Sequence, residues 1–155
     1  MQVLQNIVQG SREWLAIRAK HHTASEAPAM MGASRYQTRD QLLHQKHTGI
    51  TQEIDGHTQA LFDRGHATEA AARLLLEQEI GEELYPVTAL DDAGRLLASF
   101  DGITLMGDTG FEHKLWSERL AGQVRAGDLE PHYYWQLEQQ ILVGGLEKVI
   151  FVTSD

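Results

Sequence analysis

Cysteine is absent from the 155 residues. That excludes disulfides and thiolate metal ligands together, and it fits a reducing compartment. No apolar run approaches the roughly 18 residues of a membrane span, and Met1 to Gly10 lacks the basic start and apolar stretch of a signal peptide. A cytoplasmic location without membrane contact is the expectation. Internal repeats, low-complexity tracts and long Gly/Ser- or Pro-rich linkers are missing too, so residues 1–155 read as one domain. Positive charge is scarce: 13 Lys and Arg against 22 Asp and Glu give −9. A passive DNA-binding module is usually basic, so this balance counts against a nucleic-acid ligand. The objection is limited, because affinity depends on where the positive charge sits. Divalent cations also need local carboxylates, and once bound they reverse the local field.

What is present suits a globular fold: 42% hydrophobic and 23% charged residues can bury a core. Short helices are expected over Arg12–Ala19, with Ser11 as N-cap, over Glu26–Gly32, and over about Arg39–His47 ahead of Gly49. Ile50 to His57 is polar and reads as a loop. His66 to Ile80 carries Ala70, Ala71, Leu74, Leu75 and Ile80 at three- and four-residue spacings and predicts the strongest helix, stopped by Gly81. Four strands should follow over Tyr85–Leu90, Arg95–Phe100, Ile103–Met106 and Phe111–Trp116. The turns expected among them are Asp91-Asp92-Ala93-Gly94 and Gly107-Asp108-Thr109-Gly110. A second strong helix over about His132–Val143 follows Pro131, and Lys148 to Val152 reads as a buried strand. This order predicts an α/β (α+β mixed) fold with a central mixed sheet flanked by helices. The chain stops directly after the last strand, which suggests trimming or a C-terminal helix beyond residue 155.

The best local signal for chemistry is Ser99-Phe100-Asp101-Gly102, followed 11 residues after Asp101 by Glu112-His113-Lys114. On a strand, Glu112 and Lys114 project from the same face. With Asp101 on the neighbouring strand they form a cluster of two carboxylates and an ammonium, and hard oxygen ligands of this kind suit Mg²⁺ or Mn²⁺. A lysine there can orient or deprotonate water, or offset charge developing on phosphorus. The competing interpretation is a solvated ion pair beside an Asp-Gly turn, and the D…ExK pattern alone arises easily by chance. Glu69 can lean over the sheet as a further carboxylate, or simply pair with Arg73 at i+4. Gln136 and Gln140 share one helix face: Gln136 can hold water or a phosphate oxygen, Gln140 can face DNA, or both are surface helix formers. Arg18, Thr23 and Ser25 can gather guanidinium and hydroxyl donors around a phosphate.

Other residues give weaker leads. His21 and His22 are adjacent and His44 and His47 lie one turn apart, but no HExxH or other zinc spacing occurs. Trp14, Trp116, Tyr133, Tyr134 and Trp135 can stack on bases, although packing is the commoner role of such residues.

The order of these elements is more specific than any one of them. Gln9-Gly10-Ser11-Arg12-Glu13-Trp14-Leu15-Ala16-Ile17-Arg18, then Thr23-Ala24-Ser25, resembles the opening QGxxEWLxxR…TAS of the YqaJ-type viral recombinases, relatives of phage lambda exonuclease. Gly65 to Glu69 resembles their GxxxE helix start, Ser99 to Gly102 their SPDG, Glu112 to Lys114 their ExK, and Tyr133 to Gln140 their YYxQxQxQ helix. The resemblance spans nearly the whole chain and implies a restriction-endonuclease-like core of the PD-(D/E)xK superfamily. It implies a Mg²⁺-dependent exonuclease acting 5′ to 3′ on double-stranded DNA ends in recombination, of bacterial or phage origin, with a single-strand annealing protein as partner. Homo-oligomers are implied too, since the lambda relative is a trimer. One or two ions would be held by Asp101, Glu112 and the His113 carbonyl. Lys114 would serve the water, Glu69 and Gln136 would complete the centre, and Arg18, Thr23 and Ser25 would hold the 5′-phosphate.

Three departures stand out: Phe100 for proline, Glu138 for glutamine, and His113 for an apolar residue, the last predicting a less buried strand face. None removes a catalytic group. The competing functions are an endonuclease or nickase on the same site, a non-catalytic domain binding DNA ends or a recombinase partner, and, more distantly, a metal-free histidine-based hydrolase.

Overall fold

The structure, a computed structural model, describes residues 1–49 and 56–155, and of residues 56–63 the backbone only. The expected loop over 50–57 lies outside the described residues for 50–55, while Gly56 and His57 already belong to a helix.

A six-stranded mixed sheet organises the chain. Its strands are β1 (Gln2–Val3), β2 (His22–Thr23), β3 (Leu84–Leu90), β4 (Leu96–Thr104), β5 (Thr109–Leu115) and β6 (Lys148–Ser154). Spatially the order is β1-β3-β4-β5-β6, with β2 parallel to the start of β4. The β3–β4 and β4–β5 pairs are antiparallel, and β6 returns parallel to β5 over its whole length. Such a parallel return needs a crossover, which here includes α5 (Glu118–Ala126) and α6 (Pro131–Gly144). The helices ahead of the main sheet are α1 (Arg12–Lys20), α2 (Ala27–Met30, after a single 3₁₀ turn at Ala24–Glu26), α3 (Arg39–Thr48) and α4 (Gly56–Ile80).

Local chemistry explains the boundaries. Ser11 Oγ accepts from the Trp14 amide at 3.1 Å and starts α1. Thr38 and Gln41 form a reciprocal capping box on α3, which ends at the left-handed Gly49. The α4 helix begins at Gly56, ten residues before the expected start, because the apolar spacing that marks the helix in the sequence starts only at Ala70. Two expected strands, Arg95–Phe100 and Ile103–Met106, are one continuous β4 through Asp101-Gly102. The missing side chain of Gly102 makes this run compatible with close packing, since a Cβ there would lie 2.8 Å from Leu84 Cβ. Leu105 and Met106 then fall in the turn, exposed. Helix α5 is a further element that the pattern did not reveal, although Ser117 caps it and Gly127 closes it.

The sheet buries both faces. Against α6 pack Ala89, Ala98, Phe100 and Ile103, with Val143 from the helix itself. On the α4 side lie Leu84 and Phe111 with Ala72, and Leu76, Ile80 and Val152 close the cluster. Among the described residues no helix is long and apolar enough to cross a membrane.

Candidate active site

The site forms where β5 parts from β4. The two strands pair at Gly102–Phe111 and Ile103–Gly110, while β2 pairs with β4 only at Leu96 and Leu97. Between these contacts, that edge of β4 carries no strand. Side chains take its carbonyls instead: Gln139 Nε2 donates to Leu97 O at 3.1 Å, Gln140 Nε2 to Ser99 O at 3.2 Å, and Arg73 Nη1 to Asp101 O at 2.9 Å. Buried carbonyls must be satisfied, and here two helices on opposite faces of the sheet do it. The Asp101 side chain turns to β5, where its Oδ2 accepts from the His113 amide at 2.8 Å.

Glu112 is the centre of the cluster and is only 2% exposed. Its Oε1 accepts from Gln136 Nε2 at 2.5 Å and, in close contact, from the Lys114 ammonium; Oε2 accepts from Gln140 Nε2 at 2.6 Å. Glu112 is therefore the buried member of the pair, and Lys114 is half-buried beside it, so the two are not a freely solvated surface pair. Gln136 and Gln140, four residues apart on α6, converge on one carboxylate, which excludes their reading as surface helix formers. Gln140 is a correction as well: at 0% exposure it points into the cluster and cannot face DNA. His113 is a second correction, for it is 6% exposed, with Nε2 2.9 Å from Ser154 Oγ on β6. A polar partner on the parallel strand lets an imidazole occupy a buried position.

The charges of the group act on one another. Burial, reinforced by the Glu112 charge, holds the Asp101 carboxyl well above its ordinary pKa. Glu69, on α4, is also raised by burial, opposed by Arg73, and it feels the charges of Glu112 and Lys114. Its carboxylate lies 3.8 Å from Arg73 Nη1. Burial works to lower the Lys114 pKa, but Glu112 and Asp101 outweigh it and raise the net value. Lys114 is thus held as an ammonium among carboxylates. Arg73, read from sequence only as a partner for Glu69, also supports the Asp101 backbone; no local pattern marks that long-range bond.

The N-terminal candidates form a second cluster. Arg18 Nη2 donates to Ser25 Oγ at 3.1 Å, and Ser25 Oγ lies 3.2 Å from Thr23 Oγ1. The guanidinium stacks 4.4 Å over the Trp14 ring, and Trp14 Nε1 donates to Ser99 Oγ at 2.9 Å. Ser99, two residues before Asp101, is the hydroxyl that the sequence reading did not single out. Burial lowers the Arg18 pKa and Glu26 opposes the shift, so the group keeps its charge.

Among the other candidates, His21 Nδ1 lies 2.7 Å from Ile17 O, and the Tyr133 ring packs 5.4 Å from Phe151. Trp116, Tyr134 and Trp135 remain about 40% exposed, at 42%, 43% and 38%. A separate apolar groove of about 490 Å³, lined by His22, Met30, Leu96, Trp135 and Leu142 among others, contains none of the catalytic candidates.

Among the described residues no group of three or more His, Cys, Asp or Glu side chains is gathered as a metal site. The carboxylates nonetheless outnumber the nearby cations: Asp101, Glu112 and Glu69 face Lys114 and Arg73. The buried Glu112 and the half-buried Asp101 beside one ammonium form an oxygen donor set that a hard divalent cation would relieve.

Comparison with solved structures finds the alkaline exonuclease LHK-Exo from Laribacter hongkongensis, with a TM-score of 0.72 and 28% identity over 94% of this chain and 75% of that one. LHK-Exo in complex with dAMP matches with a TM-score of 0.74 and 27% identity, over 94% and 74%. The comparison with curated proteins found no match. The sequence profile of the YqaJ-like viral recombinase domain covers residues 13–147. With most of its length matched by that profile and its fold shared with the alkaline exonucleases, the chain belongs to the YqaJ-like viral recombinase domain family.

Proposed function

We propose that this protein is a divalent-metal-dependent exonuclease that degrades double-stranded DNA from 5′-phosphorylated ends in the 5′ to 3′ direction. The observation that carries the proposal is the buried Glu112, paired with Lys114 beside Asp101 and held by Gln136 and Gln140 where β4 and β5 part. LHK-Exo, similar over 94% of this chain, is an alkaline exonuclease with a structure containing dAMP. Such a deoxynucleoside monophosphate is the class of product released when DNA is hydrolysed one nucleotide at a time.

Asp101 and Glu112 would hold one or two Mg²⁺ or Mn²⁺ ions, with the His113 carbonyl as a further oxygen. That carbonyl leaves β5 on the side of its own amide, toward Asp101. When bound, the ion polarises the scissile phosphate and offsets the charge gathering on it. Gln136 and Gln140 fix the Glu112 oxygens, so the carboxylate is pre-oriented. The Lys114 ammonium stands beside it to position the water or to stabilise the charge on the pentacoordinate phosphorus. Water adds to phosphorus, the bond from phosphorus to the 3′-oxygen breaks, and that oxygen takes a proton to leave as a hydroxyl. The new 5′ end keeps its phosphate. Arg18, Thr23 and Ser25 supply the guanidinium and hydroxyl groups suited to holding such an end.

The test is digestion of linear, 5′-phosphorylated duplex DNA with Mg²⁺ and with EDTA, beside a closed-circular control. Mg²⁺-dependent loss of the linear duplex alone is expected. Cutting of the circle would replace the exonuclease with an endonuclease, and failure of folded protein to cut either would leave a binding domain.

A further inference from the structure

Glu26 is out of place in a pocket for an anion. Its Oε1 lies 3.9 Å from Arg18 Nη2, on the guanidinium that also donates to Ser25. Its Oε2 accepts from the Thr23 amide at 3.2 Å, which fixes the carboxylate against the same short segment. An incoming phosphate at Arg18, Thr23 and Ser25 would therefore meet a resident competitor for the guanidinium.

Lys46, in the last turn of α3, answers that competitor. Its ammonium reaches Glu26 Oε2 at 2.8 Å, nearer than Arg18 approaches the carboxylate. It also donates to Arg18 O at 2.6 Å and His21 O at 2.8 Å, two carbonyls at the C-terminal end of α1. Three donors thus meet three acceptors, and the side chain is only 18% exposed. With Lys46 in place, Arg18 and Lys46 against Glu26 leave one net positive charge in the pocket. Without it the sum is zero, and Glu26 is free to pair fully with Arg18.

We infer that Lys46 is a positioning residue for DNA-end recognition: it draws Glu26 off Arg18 and keeps the pocket positive for a 5′-phosphate. The inference rests on the assignment of Arg18, Thr23 and Ser25 to the 5′-phosphate. A purely structural tie between α3 and α1 would make the same bonds, but it would not discriminate between phosphorylated and unphosphorylated ends.

The experiment compares wild type, Lys46→Met, Glu26→Gln and the double variant on linear duplexes bearing 5′-phosphoryl or 5′-hydroxyl ends, with KM and kcat measured for each. Lys46→Met should raise KM for phosphorylated ends by about tenfold, with kcat and the KM for hydroxyl ends retained. Glu26→Gln should leave the preference for phosphorylated ends intact or enlarge it, since the amide can still accept from Thr23. The double variant should recover most of the loss, because the competing carboxylate has gone. Equal loss on both kinds of end, or a double variant no better than Lys46→Met, would assign Lys46 a structural role and overturn the inference. Should Lys46→Met not fold, Glu26→Gln decides: a weakened preference for phosphorylated ends overturns it. A wild type indifferent to the 5′-phosphate would remove the pocket assignment itself, and this inference with it.

Discussion

Gln140 donates to Glu112 Oε2 at 2.6 Å from a position with no solvent exposure at all. The same amide nitrogen donates to the Ser99 carbonyl at 3.2 Å, so one side chain joins the buried carboxylate to the open edge of β4. Replacing Gln140 by Leu would strand two buried acceptors, one of them charged. A loss of about 2–4 kcal/mol in unfolding free energy is expected. Urea unfolding measures it, and a loss below about 1 kcal/mol would mean that these bonds contribute little.

Lys114→Ala should lower cleavage of linear duplex DNA by about 10²- to 10⁴-fold. The fold should persist, because Gln136 and Gln140 still hold Glu112. Single-turnover rates, with circular dichroism as the control for folding, provide the check. Full activity in this variant would remove Lys114 from the chemistry.

Gly102→Ala tests the close approach beneath the site. The new Cβ would meet Leu84 Cβ at 2.8 Å and Arg73 Cδ at 3.5 Å. Strand and helix must move apart, at a cost of about 1–3 kcal/mol, and the Arg73 bond to Asp101 should loosen with them. A lowered Tm together with lowered activity is expected; an unchanged melting curve would show that the contact relaxes freely.

Acid should act on the β3–β4 turn through Asp91. Its Oδ1 accepts from the amides of Arg95 at 2.6 Å and Leu96 at 2.9 Å. The backbone bonds, that from Leu96 first, hold the carboxyl below its ordinary pKa. A depressed folded-state pKa means stability that is present above the unfolded value of about 3.9 and lost as pH falls through the folded one. Asp91→Ala should therefore be less stable than wild type at neutral pH, with the difference shrinking in acid. Urea unfolding of both proteins at neutral and acidic pH compares them, and a gap that persists in acid would assign the effect to something other than the carboxylate charge.

Sequence legibility followed the range of the interactions. The shared face of Glu112 and Lys114 follows from strand alternation, and that of Gln136 and Gln140 from helical spacing. Their meeting could not be read, because it depends on α6 crossing the sheet to reach β5. The same limit hides Arg73 on Asp101 O and Lys46 on Glu26, which are bonds between segments 28 and 20 residues apart by position. The two-residue strands β1 and β2 carry no pattern of their own and exist only through their partners β3 and β4. By contrast, Ser117 and Gly127 do mark α5 with an N-cap and a left-handed stop, although its nine residues carry few large apolar side chains between them. Asp101-Gly102 looked like a turn because that dipeptide favours turns; tertiary packing keeps it in a strand.

Where β5 leaves β4, the donors of Gln139, Gln140 and Arg73 satisfy Leu97, Ser99 and Asp101 in place of another strand. An unsatisfied strand edge is a template on which foreign polypeptide can assemble, the first step of aggregation. Single side chains can occupy that template without walling it off, whereas a further strand would fill the space in front of the carboxylates. The gap can therefore stay open to a phosphodiester and remain closed to β-augmentation.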